Sequence, residues 1–230
     1  MLPAVTNDAA RARAAAAAAE LIEPRMTIGL GSGRAVWKVI ELLGRRAPDD
    51  RPRAAFASER TRELAREAGL GEMALDGSTV LELAIDGADE VGPGLGLIKG
   101  GGAALLREKI VIEAARRFVV VAETGKLVER LGQTHALPVE VVRFGWQDTR
   151  RRLLEVLPSA ELRRGERGDP VVTDEGHHLL DCALPADPPP EELAPRIKAT
   201  VGVVEHGLFL GYASLALLGT PDGAVERVEP

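Results

Sequence analysis

The sequence predicts an α/β protein: a mostly parallel, Rossmann-like sheet domain with a smaller ferredoxin-like α+β domain. Three observations carry that expectation. Short apolar runs alternate with helical patterns through the first half of the chain, which implies right-handed crossovers and a sheet covered on both faces. Each glycine-rich or charged stretch there follows the end of an apolar run. Past Lys126 the rhythm becomes strand, helix, strand, strand, helix, strand, the order of a split β-α-β unit.

The totals bound the answer. A chain of 230 residues has room for one large domain or two modest ones. Its hydrophobic content of 45% and charged content of 28% are ordinary for a globular protein. A net charge of −6 argues against a general nucleic-acid or membrane-surface binder, so an anionic ligand needs a local cluster of cations. The one cysteine, Cys182, excludes an internal disulfide and offers no zinc-site spacing, which fits a reducing cytoplasm. No apolar run approaches the ~20 residues that span a bilayer.

Residues 7–22 form an alanine-rich helical pattern that Pro24 stops. The pattern is no targeting peptide, because its core is only alanine and it carries Asp8 and Glu20. Residues 26–30 read as a strand, Gly29, Gly31 and Gly33 as a tight loop, and 35–43 as a helix. Strand, glycine loop and helix suit an anion at a helix N-terminus, and a turn made only for packing explains them equally well. The dinucleotide fingerprint is not met, since Arg34, Ala35 and Val36 follow Gly33 with no third glycine in place. A strand over 54–57 ends in Ser58, and a helix over 59–68 is closed by Gly69.

The stretch from Val80 to Phe118, VLELAIDGADEVGPGLGLIKGGGAALLREKIVIEAARRF, organises the rest. A strand over 80–85 ends in Asp86 and Asp89; then come Lys99, Gly100, Gly101 and Gly102, and a helix over 103–117 carrying Glu108. A solvated turn before a capped helix does not require acids, a cation and a triple glycine in one strand–loop–helix unit. A strand over 118–122 follows, then Glu123, Thr124, Gly125 and Lys126. The polar groups thus gather at the carboxyl ends of four strands, the edge where open α/β sheets bind ligands.

The second half reads as strand 138–143, helix 149–156, strand 160–164, an extended piece at 170–173, a turn at 174–176, strand 178–182, helix 191–199 and strand 203–206. PADPPP at 185–190 is a stiff connector within this domain. From Gly207 the chain is expected to rejoin the first domain, with a strand over 212–218, a turn at 221–223 and an edge strand over 224–228. The expected division is 1–127 plus 207–230 against 128–206.

Together TIGLGSG, Ser58-x-x-Thr61, IDGADE, LIKGGGAALLREK, the lysine after FVVVAETG, LPVEV, VTDEG with LLD, GVVEHGLF and GTPDG resemble one family, ribose-5-phosphate isomerase, type A. The resemblance covers nearly the whole chain. It implies a parallel α/β sheet with a ferredoxin-like lid. It implies an aldose–ketose isomerase that interconverts ribose 5-phosphate and ribulose 5-phosphate, in the non-oxidative branch of the pentose phosphate pathway, without metal or organic cofactor. By motif, Glu108 becomes the base that moves a proton between C1 and C2. Asp86 opens the sugar ring, and Asp89 and Lys99 support the developing oxyanion beside Gly100, Gly101 and Gly102. The phosphate falls to Gly31, Ser32, Gly33, Arg34 and Lys126, and a lysine usual in the N-terminal helix aligns with Arg11.

The chemistry asks for these residue types in its own right. Moving a proton alpha to a carbonyl needs a carboxylate within reach of both carbons, and an enediolate needs a cation or donors at its oxygen. Ring opening needs a second acid/base group. Metal-assisted isomerisation would need clustered ligands, which His135, His177, His178 and His206 do not supply in sequence. The chain also departs from the family, whose phosphate loop usually reads GTGST where this one has Arg34 and Ala35, and whose TDNGN here reads TDEGH. A sugar-phosphate sensor would need a DNA-binding head, for which the residues before the first strand leave no room. A nucleotide oxidoreductase lacks its glycine, and a Schiff-base aldolase using Lys99 would be trapped by borohydride. A homodimer or homotetramer is expected, acting on a small pentose phosphate, with no nucleic-acid or membrane partner.

Overall fold

The computed structural model describes residues 7–230. In chain order its strands begin with β1 (Thr27–Leu30), β2 (Arg53–Phe56), β3 (Gly71–Glu72), β4 (Leu83–Asp86), β5 (Glu90–Val91), β6 (Leu97–Ile98) and β7 (Phe118–Glu123). They continue with β8 (Leu137–Val141), β9 (Ser159–Leu162), β10 (His178–Ala183), β11 (Val203–His206), β12 (Leu208–Phe209), β13 (Leu215–Gly219) and β14 (Val225–Val228). The helices are α1 (Asn7–Glu20), α2 (Arg34–Gly44), α3 (Glu59–Glu67), α4 (Leu105–Glu113), α5 (Trp146–Leu153) and α6 (Pro190–Lys198). The chain forms two compact units. One comprises residues up to Ala88, Arg107–Leu127 and Gly211–Pro230, and the other Asp89–Leu106 and Val128–Leu210.

The first unit is built on a seven-stranded sheet in the order β14-β13-β7-β4-β1-β2-β3. Every pairing in it is parallel except that of β13 with the edge strand β14. All six residues of β7 are buried, as a strand covered on both faces requires, and that is why it reads as a continuous apolar run. On α2 the buried residues Val36, Val39, Ile40 and Leu43 recur at helical spacing; each such burial contributes about 1.5–3 kcal/mol. The alanines of α1 serve close approach: a Cβ on Gly219 of β13 would lie 1.9 Å from the Ala10 carbonyl. Ser58 caps α3 by accepting from the Thr61 N–H at 3.1 Å, and Gly69 follows that helix with a φ of +76°.

The second unit holds a four-stranded antiparallel sheet in the order β11-β8-β10-β9. With α5 and α6 in their chain positions, this is the ferredoxin-like arrangement. Its core joins Val139, Val141, Leu180 and Cys182 from the sheet to Leu153, Leu193 and Ile197 from the helices. Beside it β12, β6 and β5 form a three-stranded sheet that the sequence does not announce, since a two-residue strand shows no period. That pairing draws residues 89–106 and 207–210 into the second unit, where the sequence reading grouped 89–106 with the first and began the return at 207.

Element ends differ from expectation for local reasons. The helix expected over 103–117 starts at Leu105 because Ala103 sits at φ +62°, outside helical geometry. The strand expected from Val80 begins at Leu83, and Leu81 pairs singly with Ala115. The strand expected over 212–218 starts at Leu215, after Gly211 turns the chain at φ +73°. Pro190 closes the proline connector as the first residue of α6, where a missing N–H costs nothing.

Candidate active site

The order of the parallel sheet decides where its ligand edge lies. From β1 the chain runs outward through β2 to β3, then returns to the other side of β1 for β4, β7 and β13. The direction reverses between β1 and β4, and ligands bind outside the carboxyl ends of strands at such a point. The loop after β1 and the last residue of β4, Asp86, meet there. Gly31 N–H donates to the Ile85 carbonyl at 2.9 Å, and Ser32 N–H donates to Asp86 Oδ1 at 3.1 Å. Gly87 N–H donates to the same oxygen at 2.7 Å, so the fully buried Asp86 carboxylate is oriented from two sides. Only glycine fits at 31, because a Cβ there would lie 1.8 Å from Asp86 Cγ.

Hydroxyls extend this arrangement behind the loop. Ser32 Oγ lies 3.0 Å from Ser58 Oγ, Ser58 Oγ donates to Thr61 Oγ1 at 3.0 Å, and Trp37 Nε1 donates to Thr61 Oγ1 at 3.2 Å. Ser32 is therefore held from α2 and α3 at once. Gly33 precedes α2 with a φ of +106°, and Arg34 is exposed at the first position of that helix.

Glu108 lies in the first turn of α4 and is 4% exposed. Leu81, ahead of β4, pairs with Ala115, beyond α4, so the helix ends at the entry edge of the sheet and begins toward its carboxyl edge. Val111 packs on β1 where Gly29 leaves room, since a Cβ there would meet Val111 Cγ1 at 2.4 Å. Glu108 is one turn nearer the carboxyl edge on that helix face. Its neighbour Arg107 donates to Glu59 at the start of α3 at 2.9 Å, and that hydrogen bond holds the Glu59 carboxyl below the usual range.

Lys126 is half-buried in the turn after β7. Arg11 is 6% exposed and donates to Glu123 Oε1 at 2.8 Å, so α1 is tied to the end of β7. Asp8 gathers cations: a hydrogen bond from Lys38, with Arg11 and Arg34 nearby, holds its carboxyl below the ordinary value.

The second unit holds the other half of the motif. Asp89 N–H donates to the Ile98 carbonyl at 2.8 Å, and Asp89 Oδ2 accepts the Gly101 N–H at 2.7 Å. Lys99 is 3% exposed; its N–H donates to the Gly207 carbonyl at 2.9 Å, and its Nζ sits 5.5 Å from the centre of the Phe209 ring. Gly100 has a φ of +104°, and a Cβ on Gly101 would lie 2.7 Å from Asp89 Oδ1 and push that carboxylate aside. Gly102 faces open space at that position.

Within the first unit Asp86, Ser32, Gly31 and Gly33 are brought together, and within the second Asp89, Lys99, Gly100 and Gly101. Sequence reasoning missed Arg163, which follows β9 and whose side chain meets the glycine loop, and Asp181 on β10, which holds Arg163. ELRRG looks like an ordinary strand end, and LLD, though part of the family resemblance, gives no sign of what Asp181 holds. Among the described residues no group of three or more His, Cys, Asp and Glu side chains is arranged to hold a metal ion. Also among these residues, no helix is long and apolar enough to cross a membrane.

The chain was compared with known proteins. A family model for ribose 5-phosphate isomerase A (phosphoriboisomerase A) matches residues 54–223. The ribose-5-phosphate isomerase A of Roseiflexus sp. (strain RS-1) is 49% identical over 223 residues, 96% of each chain. That of Caulobacter vibrioides (strain NA1000 / CB15N) is 49% identical over 220 residues, 93% of this chain and 95% of its own. Among solved structures, ribose 5-phosphate isomerase A from Methanocaldococcus jannaschii matches with a TM-score of 0.91 at 34% identity, covering 98% of this chain and 100% of its own. A D-ribose-5-phosphate isomerase in complex with phospho-erythronic acid matches with a TM-score of 0.92 at 34% identity and the same coverage.

Proposed function

Because the chain belongs to the ribose-5-phosphate isomerase A family, and is on that account an aldose–ketose isomerase, we propose that it interconverts ribose 5-phosphate and ribulose 5-phosphate by metal-independent proton transfer through an enediolate. The observation that carries the mechanism is the burial of Asp86 and Glu108 in the first unit, where the third buried carboxylate, Glu123, is bonded to Arg11. Burying a carboxylate is costly unless it is paired or hydrogen-bonded, and this reaction needs two with separate tasks.

In this reading Asp86, oriented by Ser32 and Gly87, moves the proton that opens the furanose ring. Glu108 then takes the proton from C2. The electron pair of the broken C–H bond forms the C1=C2 bond, and the carbonyl oxygen becomes the enediolate oxygen. Lys99 and the N–H groups of Gly100 and Gly102 support that charge, and Asp89 helps by holding the loop through the Gly101 N–H. Glu108 returns the proton to C1 while the O2–H proton passes to the C1 oxygen, so that the C2 oxygen becomes the ketone and C1 the alcohol. Gly31, Ser32, Gly33, Arg34 and Lys126 take the phosphate at the start of α2. Arg11, bonded to Glu123, braces the β7 end that carries Lys126. The reading includes the non-oxidative pentose phosphate pathway and a cytoplasmic location, which the single buried thiol of Cys182 supports. It also includes a homodimer or homotetramer, for which the solvent-facing Phe144 and Val201 argue.

The test is an assay with ribose 5-phosphate before and after exhaustive chelation with EDTA. Ribulose 5-phosphate should form at an unchanged rate, and phospho-erythronic acid should compete with substrate. No turnover in either condition overturns the substrate assignment. Loss of turnover in EDTA that one divalent metal restores overturns the metal-independent mechanism.

A further inference from the structure

Arg163 follows β9 and is fixed along its backbone, its N–H donating to the Leu179 carbonyl and its carbonyl accepting from Val171, both at 2.9 Å. Asp181 on β10 stands opposite Glu161, so Arg163 and Asp181 are diagonal neighbours on one face of the pair. Arg163 Nε lies 3.1 and 3.0 Å from the two Asp181 oxygens, and Nη2 also donates to Oδ1. The remaining amino group, Nη1, reaches the carbonyls of Gly100 at 2.8 Å and Gly101 at 3.2 Å. One guanidinium thus grips a carboxylate on one edge and two successive peptide carbonyls on the other. A lysine ammonium has no such fork.

A trans peptide points its C=O and N–H in opposite directions. The Gly100–Gly101 peptide is therefore held at both ends: its carbonyl on Arg163 and its N–H on Asp89 Oδ2 at 2.7 Å. The next peptide has its carbonyl on Arg163 too, which turns the Gly102 N–H away from Arg163. The loop needs such a brace, because glycines have the widest backbone freedom and Gly100 and Ala103 both stand at positive φ.

We infer that Arg163, locked by Asp181, is a positioning residue that holds the Gly101 N–H on Asp89 and fixes the direction of the Gly102 N–H, and so sets the oxyanion side of the site. The inference rests on the isomerase reading above, and it makes this pair the link between the ferredoxin-like sheet and the rate of the chemical step.

The experiment compares Arg163→Lys and Asp181→Asn with the wild type. It measures kcat, KM, thermal midpoint, inhibition by phospho-erythronic acid and by inorganic phosphate, and exchange of the Gly101 amide with deuterated water. Both variants should lower kcat by about ten- to a hundredfold, the effect of misplacing donors by an ångström or less, while KM stays within about threefold. Inhibition by phospho-erythronic acid should weaken and that by inorganic phosphate stay unchanged. The Gly101 amide should exchange faster at a temperature where the variants remain folded. A folded Arg163→Lys enzyme with wild-type kcat and wild-type Gly101 exchange would overturn the inference. Loss of activity that only tracks a lowered thermal midpoint would do the same. If the wild type does not isomerise ribose 5-phosphate, it is the isomerase reading that fails, and Gly101 exchange still decides whether Arg163 braces the loop.

Discussion

Arg34 shows how far a residue type can be read before its surroundings are known. A guanidinium where hydroxyls are usual in the family, beside a helix N-terminus, suits phosphate. The structure adds that the side chain is exposed, so water competes for it and its contribution falls at the weak end of charge-assisted hydrogen bonds. Arg34→Ala should raise KM for ribose 5-phosphate roughly tenfold with little change in kcat, because a phosphate contact is made in ground and transition states alike. An unchanged KM together with an unchanged phosphate Ki would make Arg34 a surface residue. Glu108 is the opposite case, buried and fixed on α4. Glu108→Gln should cut kcat by several orders of magnitude and leave substrate binding near normal. Continued wild-type proton exchange at C2 in deuterated solvent would pass the role of base to another group. Asp86, Asp89, Lys99 and Glu108 stand out as candidates in the sequence because their types crowd one short motif. Arg163 and Asp181 do not, because they lie some sixty or more residues beyond the glycine loop that Arg163 contacts.

Among the elements, β5 carries a device of its own. Glu90, fully buried, accepts the N–H of Gly132 at 2.6 Å, the hydroxyl of Thr134 and the N–H of His135 at 2.7 Å each, and the Thr134 N–H. One carboxylate thereby organises the turn that leads into β8. Burial pushes the Glu90 carboxyl up, and the hydrogen bonds from Thr134, Gly132 and His135 outweigh it and hold the value below the ordinary one. A depressed folded value stabilises the fold fully above the unfolded pKa, near 4.3, and the contribution is lost as pH falls through the folded value. Glu90→Gln should cost about 3 kcal/mol at pH 7 in urea unfolding, and noticeably less at pH 3. Equal losses at both pH values would refute the assignment. The motif EV at positions 90–91 reads only as part of a polar loop. Period-2 patterning needs more than two residues, which is why β5, β6, β12 and β3 escaped sequence reading while β7 and α2 did not.

For the whole molecule, the polar groups expected at the carboxyl ends of β1, β2, β4 and β7 do share one edge, because the pairings among these strands are parallel. Sequence shows that edge through composition alone: apolar run, then glycine and charge. Strand order is invisible to it, so the reversal between β1 and β4 that singles out Asp86 emerges only in three dimensions. The order has a further consequence for how the protein is made. The open side of β7 is paired by β13, and β6 is paired by β12, and both partners come after residue 207. During vectorial synthesis each of these strands therefore waits with a bare row of N–H and C=O groups until residues beyond 207 have left the ribosome. Apolar β7 is the more hazardous of the two, because an unpaired apolar strand is a template for another nascent chain until β13 arrives.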